Sequence, residues 1–216
     1  MKITTIESGP MGANCYIVET QSSAVIIDPG FMTAQLEGYL LNSRNKVKAV
    51  LLTHRHADHM VAVFQLSELL NVPIVVHKLD SECLFDVSVN LADLMPQYNF
   101  VPTKRGREKC VSDGDELSFG DIKIKVLHTP GHTVGGVCYI IDDKIFSGDT
   151  LFKGSVGRTD LPTGDFSQLK KSLEKLCNIS KDREVYPGHG VKTRLSFEKQ
   201  HNPYLSEFVS CKGCGD

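Results

Sequence analysis

The sequence predicts an α/β fold in which two β-sheets pack together with helices on their outer faces. Three observations predict it. Short β-rich runs alternate with amphipathic helical stretches. The order of strand group then helix occurs twice, once in each half of the chain. The run Lys48 to Thr53 is almost continuously apolar before it ends in a polar residue, as expected of a strand covered on both faces. The 216 residues suit one domain with a sizeable core, so no metal or disulfide is needed merely to hold the chain together.

The elements follow in order. Lys2 to Glu7, Asn14 to Glu19 and Ala24 to Asp28 read as strands separated by the turn signals Gly9-Pro10 and Ser22-Ser23. Thr33 to Asn42 reads as a helix, Lys48 to Thr53 as a buried strand, Asp58 to Leu70 as a helix with Val61, Phe64, Leu66 and Leu69 on its apolar face, and Pro73 to His77 as a strand. Residues 78 to 112 are irregular, with short helices expected, and long irregular connections often serve as lids or substrate walls. Glu116 to Phe119, Ile122 to Leu127, Val137 to Ile141 and Lys144 to Ser147 resume the β pattern, with a two-residue hairpin turn at Asp142-Asp143. Phe166 to Cys177 reads as a helix, Glu184 to Tyr186 as a strand, and Ser196 to His201 as a final helical turn.

Composition narrows the function. Hydrophobic residues make up 41% and charged residues 23%, ordinary values for a globular chain. Net charge is -2 with Lys and Arg dispersed, so no nucleic-acid partner is expected. No apolar run approaches the length of a membrane span, and residues 1 to 7 lack an apolar signal core; a cytoplasmic protein without membrane contact is the expectation. The seven cysteines are odd in number and irregularly spaced, which does not describe a disulfide framework. Most are expected to be buried as small apolar residues. Cys211 and Cys214 lack a second pair to complete a zinc site, so residues 211 to 216 read as a reduced C-terminal tail.

The chemistry concentrates in Thr53-His54-Arg55-His56-Ala57-Asp58-His59, directly after a buried strand. A single His there would more often cap the backbone or face water. Four potential ligands within six residues point to a metal, because imidazole nitrogen suits Zn²⁺ and an aspartate adds a hard oxygen. Three later segments each place one candidate ligand after a β run beside glycine: Thr129-Pro130-Gly131-His132-Thr133, Ser147-Gly148-Asp149-Thr150 and Tyr186-Pro187-Gly188-His189-Gly190. Glycine permits the tight turns that bring a ligand into a crowded centre.

These segments, in this order, resemble the metallo-β-lactamase fold superfamily over about residues 10 to 205. The resemblance implies an αββα sandwich of two mixed sheets, a single metallo-hydrolase domain over residues 1 to 210, and metals in a groove at one edge of the sheets. By motif, His54, His56 and His132 would hold one divalent ion, Asp58, His59 and His189 a second, and Asp149 would bridge them. Two zinc ions are the expectation, with iron or manganese as alternatives. Two cations this close repel, and a bridging carboxylate places negative charge between them.

Within the superfamily, Ser147-Gly148-Asp149-Thr150-Leu151-Phe152, Gly157-Arg158-Thr159-Asp160 and His201-Asn202-Pro203-Tyr204-Leu205 resemble the glyoxalase II group (hydroxyacylglutathione hydrolases). That group's helical glutathione-binding domain is not expected here, and Arg158-Thr159-Asp160-Leu161-Pro162-Thr163-Gly164-Asp165 stands in place of its lysine- and tyrosine-containing glutathione contact. The chain therefore resembles a short, single-domain branch, for which glutathione is not implied as the carrier. True β-lactamases lack the bridging aspartate, so antibiotic hydrolysis is not the expected main function. The implied reaction is hydrolysis of a small-molecule thioester, a 2-hydroxyacyl thioester by preference. Metals activate a water, and Asp58 serves as both ligand and proton acceptor. A mononuclear iron persulfide dioxygenase using His54, His132 and Asp149 is one alternative, and a non-enzymatic metal-binding protein another. Arg158 reads equally as a surface ion pair to Asp160 or Asp165 and as a substrate-anion contact. His77 and His128 read as structural. Tyr186 and Tyr204 fit groove or core equally well. Met60-Val61-Ala62, where relatives often place glycine, is expected to alter packing more than chemistry. The oligomeric state is left open.

Overall fold

The N-terminal strands run as a meander in which β1 (Lys2–Ser8) pairs antiparallel with β2 (Ala13–Glu19), and β2 with β3 (Ala24–Ile27). The computed structural model describes residues 1–98, 100, 107–206 and 208. After β3 the chain crosses over through α1 (Ala34–Ser43) to β4 (Val47–Leu51), which lies parallel to β3. Thr33 caps α1, its hydroxyl accepting from the Leu36 amide at 3.2 Å. A second crossover, α2 (Ala57–Met60) and α3 (Val63–Leu70), leads to β5 (Ile74–His77), again parallel. After α4 (Lys78–Ser81) and two single helical turns, β6 (Glu108–Val111) closes a sheet of order β1-β2-β3-β4-β5-β6.

The second sheet repeats the plan. β7 (Glu116–Phe119), β8 (Ile122–His128), β9 (Val137–Ile141) and β10 (Lys144–Gly148) form an antiparallel meander. A small hairpin, β11 (Leu151–Phe152) with β12 (Ser155–Val156), and helix α5 (Phe166–Cys177) lead to β13 (Glu184–Pro187), parallel to β10. β14 (Thr193–Arg194) pairs with β13, and α6 (Leu195–His201) follows, giving the order β14-β13-β10-β9-β8-β7. Asp165 caps α5 through the amides of Ser167 and Gln168.

Three apolar layers hold this together. Cys15, Ile17, Ala24, Ile26 and Val50 face one layer with Leu36, Leu40, Val63 and Leu66 from the helices. Their neighbours Tyr16, Val18, Val25, Ile27, Ala49 and Leu51 face the other sheet, meeting Ile124, Val126, Tyr139 and Phe146. Cys138 and Ile145 turn outward onto Leu169, Leu173 and Leu176 of α5. The period-2 alternation therefore sorts residues between two apolar layers, which is why these strands read as continuously apolar.

The αββα sandwich is the architecture found, with four differences in detail. The helix expected from Asp58 to Leu70 is two helices. The Ala62 amide leaves the helical ladder to donate to Pro29 and Gly30 carbonyls at 3.2 and 3.0 Å, because Gly30 packs directly on the Asp58 carbonyl and a Cβ there would lie 1.8 Å from that oxygen. Within residues 78 to 112 the strand β6 emerges, and the hairpin β11–β12 and strand β14 are two-residue pieces without sequence periodicity. Of the five described free cysteines, Cys15, Cys138 and Cys177 are buried, but Cys83 is half-buried and Cys110 exposed. The Cys211–Cys214 tail lies outside the described residues.

Candidate metal centre

The seven candidate ligands follow the C-terminal ends of four strands. His54, His56, Asp58 and His59 come after β4, His132 after β8, Asp149 after β10 and His189 after β13. The fold brings all seven to one edge. His54, His56 and His132 each place a donor atom within 4.8 Å of the others, and so do Asp58, His59 and His189. Asp149 lies between the two groups. Its Oδ2 is 3.5 Å from His132 Nε2 and 3.6 Å from His189 Nε2, and its Oδ1 is 3.5 Å from His59 Nε2. Asp58 Oδ2 is 3.2 Å from His189 Nε2 and 3.6 Å from His59 Nε2. Gly188 makes this approach possible: a Cβ there would fall 2.0 Å from Asp149 Oδ1.

Outer contacts fix which nitrogen each ring presents. His132 Nδ1 lies 2.7 Å from the Arg158 carbonyl, which can only accept, so Nδ1 carries the proton and Nε2 faces inward with a lone pair. Thr53 donates its hydroxyl to Asp28 Oδ2 at 2.6 Å and is left able to accept from His54 Nδ1 at 3.1 Å. Asp28 also takes the Thr53 amide at 2.7 Å and faces His59 Nδ1 at 3.2 Å. His54, His59 and His132 thus all turn Nε2 toward the centre. Asp28 is close enough to His54 and His59 to form a third donor group, but both its oxygens are occupied by Thr53.

The donor set fits a pair of metal ions. His56 Nδ1 and His132 Nε2 face one another at 2.9 Å, and His59 Nε2 and His189 Nε2 at 3.2 Å. Two neutral acceptor nitrogens do not face at such distances without a cation between them, either a proton or a metal. His54 Nε2, His56 Nε2 and Asp149 Oδ1 are buried without a hydrogen-bond partner, an expensive state unless an ion completes them. The titration tendencies agree. Burial, reinforced by His59, His56 and His132, pushes His54 well below the usual histidine range. Burial, with His132 next, does the same to His56. Burial would raise the Asp58 carboxyl, but His59 and His189 outweigh it and hold Asp58 well below the carboxylate range. Burial would lower His59, yet Asp58, Asp149 and Asp28 raise it to about 10. Neutral His54 and His56 and ionised Asp58 are in the states that ligate a divalent cation, whereas His59 holds a proton that a metal would displace.

Other residues resolve as follows. The Arg158 side chain is exposed and bonded bidentately to Asp160 at 2.7 and 2.6 Å, so its ion-pair role is the one seen, and its backbone carbonyl orients His132. His77 and His128 stack at 3.9 Å away from the ligands. Tyr186 packs in the core against Tyr16 and Phe146, whereas Tyr204 is exposed beside Phe166. Met60 and Ala62 are buried in the layer under α3. Asp28, Asp80 and Asn14 did not stand out in the sequence. Asp28 ends an apolar run before Pro-Gly, and buried Arg55 between two ligands demands a carboxylate, which Asp80 supplies. Asn14 brackets His189, its amide donating to the Pro187 carbonyl at 3.0 Å and the Gly190 carbonyl at 2.9 Å.

No helix among the described residues is long and apolar enough to cross a membrane. Similar proteins align with almost the whole chain. A "probable metallo-hydrolase" of Bacillus subtilis, YqgX, is 32% identical, covering 96% of this chain and 99% of the relative. A Haemophilus influenzae protein named hydroxyacylglutathione hydrolase GloC is 32% identical, covering 95% and 99%. Among solved structures, the B3 metallo-beta-lactamase BLEG-1 aligns with TM-score 0.87 and 32% identity over 95% of this chain and 100% of that one. TTHA1623 in a di-iron-bound form gives 0.82 and 37% over 94% and 100%. The model of the metallo-beta-lactamase superfamily matches residues 8–189, and the chain belongs to that superfamily.

Proposed function

We propose that this protein is a dinuclear metal-dependent hydrolase of thioesters, acting by preference on a 2-hydroxyacyl thioester. The observation that carries the proposal is the Asp149 carboxylate lying between two three-residue donor groups, one oxygen 3.5 Å from His132 and the other 3.5 Å from His59. His54, His56 and His132 would hold one ion, Asp58, His59 and His189 the other, and Asp149 both. When bound, such ions supply a water-derived nucleophile near neutral pH and polarise an acyl oxygen. The chain's own groups do the rest. Asp28 and the Arg158 carbonyl fix the ring tautomers. Asp58, kept ionised by His59 and His189, is in the state a metal ligand needs, and the proton-accepting role proposed for it rests on its place beside the bound water rather than on its basicity. The groove needs no serine or cysteine nucleophile. The name of the Haemophilus relative supports the thioester reading.

Zinc is the proposed metal. The di-iron form of TTHA1623 makes iron the metal to test against it. A mononuclear iron persulfide dioxygenase is the second reading. It needs only His54, His132 and Asp149 on one ion and would leave the facing nitrogens of His59 and His189 without a metal. Elemental analysis of the purified protein, together with turnover of S-D-lactoylglutathione, nitrocefin and a persulfide with oxygen monitoring, separates these. Two metal equivalents with thioester turnover is the expected result. One iron with oxygen uptake, or β-lactam turnover alone, would overturn it.

A further inference from the structure

Behind the first donor group lies a fully buried ion pair. Arg55 sits between His54 and His56, and its guanidinium is completely shielded from solvent. Its Nη1 bonds to Asp80, and its Nη2 reaches the Pro162 carbonyl at 3.0 Å and the Thr163 hydroxyl at 2.5 Å. Asp80 collects three further donors: the Arg55 amide at 3.1 Å, the Thr133 hydroxyl at 2.9 Å and the Gly135 amide at 2.9 Å. The Thr163 hydroxyl also accepts from the Val134 amide at 3.2 Å.

Three segments meet at this pair. One carries His54 and His56. The second, residues 131 to 136, carries His132. The third, residues 157 to 165, supplies the carbonyl that orients His132. A buried guanidinium beside a metal site would repel the metal unless a carboxylate neutralises it. Asp80 does so, and its two oxygens tie the loops together while leaving the ligands untouched. Gly135 leaves no room for drift, since a Cβ there would lie 2.5 Å from the Asp80 carboxyl carbon.

We propose that Arg55 and Asp80 are positioning residues: a charge-neutral clamp that sets the spacing of His54, His56 and His132 and thereby the affinity of that half of the centre for its metal. This rests on the reading that those three histidines hold a metal. Neither residue touches the reacting atoms.

The test is Zn²⁺ binding by chelator competition to wild type, Asp80→Asn, Arg55→Lys and the double variant Arg55→Met/Asp80→Asn, with folding of each apo protein checked by circular dichroism. Asp80→Asn strands the buried cation and is expected to weaken one of the two zinc equivalents at least tenfold. Arg55→Lys keeps the charge but loses the fork to Pro162 and Thr163, and is expected to fall between. The double variant removes both charges and is expected to regain zinc affinity relative to Asp80→Asn, a rescue that general loosening would not produce. Folded Asp80→Asn with wild-type zinc affinity would overturn the clamp while leaving the metal centre standing. Should Asp80→Asn not fold, Thr163→Ala decides: a threefold or greater loss of zinc affinity supports the clamp, and no loss overturns it. Wild type that binds no zinc, iron or manganese would instead overturn the metal reading itself, and the clamp with it.

Discussion

His54, His56 and His132 are almost wholly buried and are held from behind by the Arg55–Asp80 ion pair, whereas in the other half Asp58 and His189 keep 17% and 29% of their side-chain surface and His189 is held by the neutral Asn14 amide. Only His59 in that half is fully buried, braced by Asp28. On the proposed function, the difference separates two duties. A donor group that is buried and tied to three loops suits retention of an ion. One that borders solvent suits exchange of water and entry of substrate. The strand order places His189 near an edge: it follows β13, whose outer neighbour is the two-residue strand β14, whereas the loop carrying His54 and His56 follows β4, which lies between β3 and β5.

The largest effect expected from this contrast comes from His54→Ala set beside His189→Ala. His54→Ala should abolish turnover, a loss beyond the ~100-fold upper range typical of contacts behind the ligands, and should lower bound metal in both halves. His189→Ala should keep one equivalent. Equal metal loss in the two variants, measured by elemental analysis, would erase the contrast.

Metal removal comes next. Chelator titration should proceed in two stages, the open half emptying first. A metal present at a thousandfold excess over its Kd stabilises a protein by about 4 kcal/mol, which at this chain length corresponds to roughly 10 °C in Tm. A single release step or an unchanged Tm in calorimetry would contradict the picture.

Asn14→Ala sharpens it further. Loss of the two bonds bracketing His189 should weaken the second equivalent by about tenfold and leave the first unchanged, as read by competition titration. Weakening of both halves alike would mean that Asn14 supports the fold generally.

Much of this was legible in the sequence. The strand ends and the glycine beside each later candidate ligand are local signals, and each appears where its residues place it. What supports the ligands was not legible. Arg55 and Asp80 are 25 residues apart, and Asn14 and Pro187 173 apart, joined only by topology. Nothing periodic marks such partners. The break between α2 and α3 was hidden for the same reason, since it depends on Gly30 meeting the Asp58 carbonyl across the fold. Arg158 adds a role that its side chain did not signal: beside the guanidinium's ion pair to Asp160, its backbone oxygen orients His132.

The smallest expected effect lies behind the closed half, at His77, whose ring stacks on His128 just before α4 and Asp80. Burial, with His128 beside it, lowers His77 to about 4. The unfolded chain protonates near 6.5, so between about pH 6.5 and 4 protons favour unfolding. The stability is present above 6.5 and falls as pH drops through that window. His77→Phe should lose less Tm than wild type between pH 7 and pH 5. Parallel Tm profiles would refute this.

The most direct measurement is anomalous diffraction from crystals of the metal-loaded protein. Two peaks are predicted, one among His54, His56 and His132, the other among Asp58, His59 and His189, with Asp149 touching both. A single peak held by His54, His132 and Asp149, with the His59–His189 side empty, would contradict the account.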